Sequence, residues 1–329
     1  MEAKGRQPAV IRTVLGEVDP ARLGVTLMHE HPIHRLSIHS GRDDNTVVDV
    51  DLVAQELTIF REAGGGCVCD VTPVNVGRDP AALQEVSRRS GVHIVSAVGL
   101  YQLEVWSDRM LAMSRDELAD YLVRDTNGQT TGVRAGFIGE IASHNELDHA
   151  DWRKYRLWDK EVEIFQAVAD AQQRTGLFVS THAALGRHGV AQLRVMADAG
   201  GDTSRVIVGH CDAQAHDDPA RDFDYYDEIL SFGAMLEFDL FGWQTVFFHD
   251  DSVRIARIAE LVRRGHADRL LIATDTCRLS QMHAHGGRGF DYVFTYIIPA
   301  MREAGVSDAE ISKMTVTNPA RVLSLGGTS

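Results

Sequence analysis

The stretch VTLMHEHPIHRL, residues 25–36, starts as an apolar strand and breaks at Pro32 with histidines at 29, 31 and 34. Residues i and i+2 of a strand share a face, so His29 and His31 are spaced to put two imidazoles on one ion. With 15 histidines in the chain, an isolated pair at this spacing also has a plain reading as two satisfied core histidines. The same stretch bears on the architecture. A doubly wound nucleotide-binding sheet would follow its first strand with a Gly-rich phosphate turn, and HEHPIHRL supplies none.

Seven further runs of this apolar character follow, at 66–72, 93–101, 135–141, 177–182, 206–211, 234–240 and 270–275. They are rich in Val, Ile, Leu and Phe without strict polar alternation, as expected of parallel strands covered on both faces. Amphipathic stretches separate them, with readable ends: a triple glycine at 64–66 closes the first, Asp79-Pro80 opens the second, and Ser114 with Glu117 fits a capping box. Eight strand–helix units joined by right-handed crossovers predict an α/β fold of the (β/α)8 TIM barrel type. The 329 residues suit one such unit, read as a single domain with a short N-terminal hairpin over 8–24 and the barrel over 25–329.

Composition narrows the partners. The net charge of −14 excludes a basic nucleic-acid footprint. No segment approaches the roughly 18 uninterrupted apolar residues of a membrane span, and the first residues lack a signal-peptide core. A cytoplasmic protein acting on a small molecule is the expectation. Cys67, Cys69, Cys211 and Cys277 lie in or beside apolar runs and read as reduced thiols.

In such barrels the working residues sit at the C-terminal ends of the strands. There the first strand offers His29 and His31, AGFIGEIA offers Glu140, FVSTHA offers His182, VIVGHCD offers His210, and LIATDT offers Asp275. Four imidazoles and two carboxylates buried at one end of a barrel would be costly to desolvate unpaired, and metal coordination resolves that cost. The set exceeds one tetrahedral site of three protein ligands plus water. It suits two ions about 3.5–4 Å apart with a bridging water held near neutral pKa. Bridging needs a carboxylate, and Glu140 fits.

The motifs HEH, AGFIGE, STH, GHCD and TD, in this order, resemble those of the phosphotriesterase family of the amidohydrolase superfamily, and the likeness runs from VLGEVDPARLGVTLMHEH to NPARVLSL. The resemblance implies that His29, His31 and Asp275 hold the more buried ion and that His182 and His210 hold the more exposed one. Several members bridge with a carboxylated lysine on the fourth strand. This chain has only Lys4, Lys154, Lys160 and Lys313, none on that strand, so Glu140 takes the role. That pattern resembles the Glu-bridged phosphotriesterase homology and phosphotriesterase-related subgroup, as do GGRGFDY and IIPAMREAG. Members of that subgroup are generally poor at phosphotriesters.

The implied reaction is attack by the bridging hydroxide on a carboxylic ester, lactone or amide. Asp275 then accepts the proton, its plainer alternative being a ligand only. Phosphotriester or phosphorylated-lactone hydrolysis is the second reading. A mononuclear deaminase would leave Glu140 without work. A ligand-binding barrel with a structural metal is the non-enzymatic alternative, set against the closed four-ligand shell that structural zinc normally has. Two divalent ions are expected, zinc first, with manganese or cobalt acceptable to the same donors.

Tyr101 is placed for hydrogen bonding to substrate, as in lactonase relatives. Arg278 could clamp an anion or form a salt bridge between loops. Trp243 with Phe247 and Phe248 could form an apolar wall. Relatives that cleave phosphotriesters carry a relay histidine after the seventh-strand aspartate; here Asp239 precedes Leu240. The histidines at 34, 39, 188, 249, 283 and 285 are expected mostly in solvent or behind the ligands. The charged, aromatic insert at 143–158 reads as a lid or an oligomer contact. A homodimer is implied by the resemblance alone.

Overall fold

The computed structural model describes residues 8–146, 151–183, 186–213, 219–243 and 249–326. Eight parallel strands form one sheet in sequential order: β1 (Val25–Glu30), β2 (Gly65–Asp70), β3 (His93–Leu100), β4 (Phe137–Ala142), β5 (Val179–His182), β6 (Val206–Val208), β7 (Met235–Phe238) and β8 (Leu270–Ile272). The helices that follow them are α1 (Val50–Glu62), α2 (Pro80–Ser90), α3 (Arg115–Thr126), α4 (Asp159–Thr175), α5 (Gly189–Asp198), α6 (Pro219–Ser231), α7 (Asp251–Arg263) and α8 (Ile298–Glu303). This is the (β/α)8 barrel expected from the run of strands.

Local chemistry sets the helix ends. The Asp49 carboxylate accepts from the amides of Asp51 and Leu52, Pro80 follows the Asp79 cap, and Ser114 with Glu117 forms the capping box. The strands carry two apolar layers. Outward residues such as Val98, Ile138, Val179 and Ile272 pack under the helices, while Met28, Val95, Phe137, Phe178, Met235 and Leu271 fill the barrel. The N-terminal hairpin, Ile11–Thr13 against Gly16–Val18, sends the fully buried Ile11 into that inner layer. Val10 pairs with Leu325 beside it.

The barrel closes at a short seam. The Asp275 amide donates to the His29 carbonyl at 3.1 Å, and the His31 amide donates to the Thr276 carbonyl at 3.2 Å. Between these two bonds the buried Glu30 carboxylate accepts from the amide and hydroxyl of Thr274 and from the amide of Thr276. Glu30 therefore ties β1 to the end of β8.

Two departures from regular pairing fall at site residues. On β1, the interval Leu27–Glu30 spans three residue steps against two on β2. On β4, Ile138–Ile141 spans three steps against two on both β3 and β5. An extra residue of this kind re-aims the side chains around it. It explains how Ile138 and Ile141 both face the helices while Glu140, one residue from Ile141, meets the histidines inside. The β4 bulge needs a neighbour without a side chain: a Cβ on Gly99 would overlap the carbonyl of Glu140 and the peptide of Gly139. Gly99→Ala is expected to lower stability by roughly 1–3 kcal/mol, as for overpacked cores, measurable as a lower denaturant midpoint.

Candidate metal centre

The six residues expected at the strand ends converge at the C-terminal mouth of the barrel. They fall into two groups whose donor atoms lie within 4.8 Å of one another: His29, His31 and Asp275, and Glu140, His182 and His210. Glu140 stands between them. Its Oε1 lies 3.6 Å from His31 Nε2, and its Oε2 lies 3.5 Å from His29 Nε2, 2.7 Å from His182 Nδ1 and 4.0 Å from His210 Nε2. Asp275 Oδ1 lies 3.5 Å from His31 Nε2.

Three of the imidazoles are aimed from behind. His29 Nδ1 donates to Glu237 at 3.1 Å. His31 Nδ1 lies 3.0 Å from the Thr72 hydroxyl. His210 Nδ1 donates to Asp239 at 2.8 Å, and its backbone amide reaches the other oxygen of the same carboxylate at 2.9 Å. Anchoring Nδ1 fixes the tautomer and turns Nε2 inward, as supporting carboxylates do around metal-binding histidines. Glu237 and Asp239 were missed as site residues in the sequence. The available signal was E-F-D at 237–239, two acids on one face of an otherwise apolar run.

The backbone bends to complete the arrangement. His210 and Asp275 adopt left-handed φ of 53° and 45°, costly for residues with side chains and typical of functional positions. This is why β6 and β8 stop short of their expected ends at 211 and 275.

The donor set fits divalent cations. His29 Nε2 and Glu140 Oε1 are buried with no hydrogen-bond partner, a costly arrangement that an ion between them relieves. The electrostatics agree. Burial outweighs the pull of His29 and His210 and raises the Asp275 carboxyl to about 8, a desolvation cost that a bound cation would offset. Burial opposes charge on His210, but Asp239 outweighs it and holds the imidazole up at about 9.

A cavity of about 160 Å³ opens above the cluster, lined by Tyr101, Trp243, Leu240, Cys277 and Arg278 among others. The Tyr101 ring lies 5.1 Å from that of His182. Burial, with Glu140 and Asp275 adding to it, raises its phenol well above the usual value, so it remains a donor. Arg278 stacks on Trp243 at 4.2 Å. It makes no ion pair among the described residues, and its Nε is buried without a hydrogen-bond partner. The Trp243 indole donates to the carbonyls of Thr274 and Asp275. Phe247 and Phe248 lie outside the described residues.

Of the loop histidines, His34 and His188 are fully buried, and burial takes His34 down to about 3. His39 is exposed at the cavity rim, and His283 and His285 are exposed. The four cysteines are free thiols. No helix among the described residues is long and apolar enough to cross a membrane.

A (β/α)8 barrel with clustered histidines and carboxylates at its C-terminal mouth defines a metal-dependent hydrolase class. The chain belongs to the phosphotriesterase family, whose sequence profile matches residues 9–323. An N-acetyltaurine hydrolase of Danio rerio is 28% identical over 357 residues, covering 95% of this chain and 97% of its own length. The phosphotriesterase homology protein of Escherichia coli, solved with phosphate in its active site, superposes with a TM-score of 0.82 at 29% identity, over 92% of this chain and 99% of its own. A mutant of the organophosphorus hydrolase of Deinococcus radiodurans gives a TM-score of 0.79 at 28% identity, over 98% and 100%.

If Asp239 aims His210, Asp239→Asn should weaken binding at this centre by roughly 10–100-fold, the usual effect of losing such a support. Competition between the protein and a chromophoric chelator for zinc measures it.

Proposed function

We propose that this chain is a binuclear metal-dependent hydrolase of the amide, lactone or carboxylic ester bond in a small anionic substrate. Amides of the N-acyl amino acid or N-acyl aminosulfonate kind are the first choice. The observation that carries the reading is Glu140, whose carboxylate lies between the two donor groups and faces histidines of both. His29, His31 and Asp275 would hold one ion and His182 and His210 the other, with Glu140 between them. Zinc is the first expectation, with manganese or cobalt compatible.

Such ions, when bound, polarise the scissile carbonyl and supply a water nucleophile at neutral pH. The protein's own residues do the rest. Asp275, with its oxygen 3.5 Å from His31 Nε2, accepts the proton of the attacking water and passes it to the leaving group. The Tyr101 phenol donates to a substrate oxygen. Arg278, held over the Trp243 ring, offers its guanidinium to a carboxylate or sulfonate at the far end of the substrate. The 160 Å³ cavity is small beside the roughly 300–1,000 Å³ of drug-sized pockets, which favours a compact substrate. The relative named N-acetyltaurine hydrolase points the same way, since that name describes an amide with a sulfonate.

Leu240 lines the cavity where relatives that cleave phosphotriesters carry a relay histidine, which ranks phosphotriester hydrolysis second. The chain is read as one catalytic unit, cytoplasmic and homodimeric.

Turnover of zinc- and manganese-loaded protein on N-acyl amino acids, N-acyl aminosulfonates, lactones, aryl esters and phosphotriesters tests the reading. Anionic amides should be the best substrates, and failure on all carbonyl substrates would falsify it. Asp275→Asn should lower kcat by about 10²–10⁴-fold, the range for loss of a general acid–base group. Glu140→Ala should bind fewer than two ions by elemental analysis. Arg278→Met should raise KM for anionic amides while sparing neutral esters.

A further inference from the structure

A second convergence of donors lies outside the centre and shares no ligand with it. His144 stands two residues past β4, Glu146 lies two residues further on, and His188 immediately precedes α5. One donor atom from each lies within 4.8 Å of the others. His144 Nε2 is 3.5 Å from Glu146 Oε2, and His188 Nε2 is 3.8 Å from the same oxygen. These separations are long for hydrogen bonds, which run about 2.7–3.2 Å. They are close to the edge of a tetrahedron around an ion with bonds of about 2.0–2.1 Å, roughly 3.3 Å.

The surroundings are built to aim these donors. His144 is 4% exposed, His188 is fully buried, and Glu161 of α4 is 1% exposed. Glu161 accepts from His144 Nδ1 at 2.8 Å and from the His144 backbone amide. The His144 ring is therefore fixed with Nε2 turned toward Glu146, the same device that Glu237 and Asp239 apply to His29 and His210. Trp158 stacks on His144 at 4.1 Å and Tyr155 lies 4.6 Å from the His188 ring, so both imidazoles are held in place. Two imidazoles and one carboxylate on a fixed frame are donors suited to a borderline transition ion.

We propose that His144, Glu146 and His188 bind a further divalent transition ion of the zinc type, with water completing the shell. The ion ties the loop after β4 to the loop after β5. Those strands carry Glu140 and His182, so the tie steadies two donors of the neighbouring centre from outside.

The test is metal content by elemental analysis after stripping with chelator, reloading with zinc alone and gel filtration. Wild type should carry one equivalent more than His188→Ala and one more than Glu146→Gln, whatever number the main centre takes. The reading is therefore independent of the proposed catalytic function. Glu146→Gln, at a half-buried position, guards against a folding failure in His188→Ala. Zinc should also raise the melting temperature of wild type more than that of Glu146→Gln. Equal zinc content in wild type and a folded variant overturns the proposal, as does an extra equivalent that gel filtration removes from wild type.

Discussion

The bonds that join the end of β8 to β1 hold the rest of the structure in place. Two backbone hydrogen bonds link Asp275 to His29 and His31 to Thr276, and the Glu30 carboxylate fastens Thr274 and Thr276 from the other side. A sheet of eight strands left open would keep His29 and Asp275 at opposite edges. Closing it makes them neighbours, so barrel closure and assembly of one donor group are the same event. That coupling accounts for a buried carboxylate placed directly between two donor histidines in the sequence. Glu30 is bound by three donors of the adjoining segment, which offset part of the desolvation that burial imposes, and burial still raises its carboxyl to about 7.

The second constraint is the pair of bulges. A regular strand would leave Glu140 on the same side as Ile138, under the helices. The extra step at Gly139–Glu140 shifts the phase, so Ile141 returns to the outer layer and Glu140 stays inside. The corresponding step on β1 falls at Met28–His29. Both strands give up ladder regularity where a side chain turns into the cluster of histidines and carboxylates. His210 and Asp275 do so through left-handed backbone instead. In each case local conformational cost is offset by the ring of packed strands around it.

Charge organises the layer behind the donors. Glu237 and Asp239 add two buried carboxylates to the two that face the cluster. Burial drives Asp275 and Glu237 toward their neutral forms, while neighbouring imidazoles outweigh burial at Glu140 and Asp239 and keep them ionised. Divalent cations favour the ionised form of all four. The same logic, with one imidazole–carboxylate pair aiming a donor, recurs at His144 and Glu161. The insert that carries His144 is docked on the barrel through buried Trp152 and Tyr155, although its residues 147–150 lie outside the described part.

The sequence by itself determined the architecture and which ionisable residues gather at the strand ends. Eight apolar runs separated by capped amphipathic stretches can bury their faces in few ways other than a (β/α)8 barrel, and ionisable residues at the ends of such runs have to be neutralised there. His29, His31, Glu140, His182, His210 and Asp275 were legible for that reason, and the four misplaced lysines excluded a lysine bridge. What only the tertiary structure decided is which groups stand behind those donors and how they are aimed. Glu237, Asp239 and Thr72 support histidines on other strands, across distances in sequence that no periodicity records. Bulges break the period-2 rule on which strand reading depends. The vacant hydrogen-bonding capacity of Arg278 over Trp243 likewise follows from how loops meet above the barrel, a matter of packing between segments far apart in the chain.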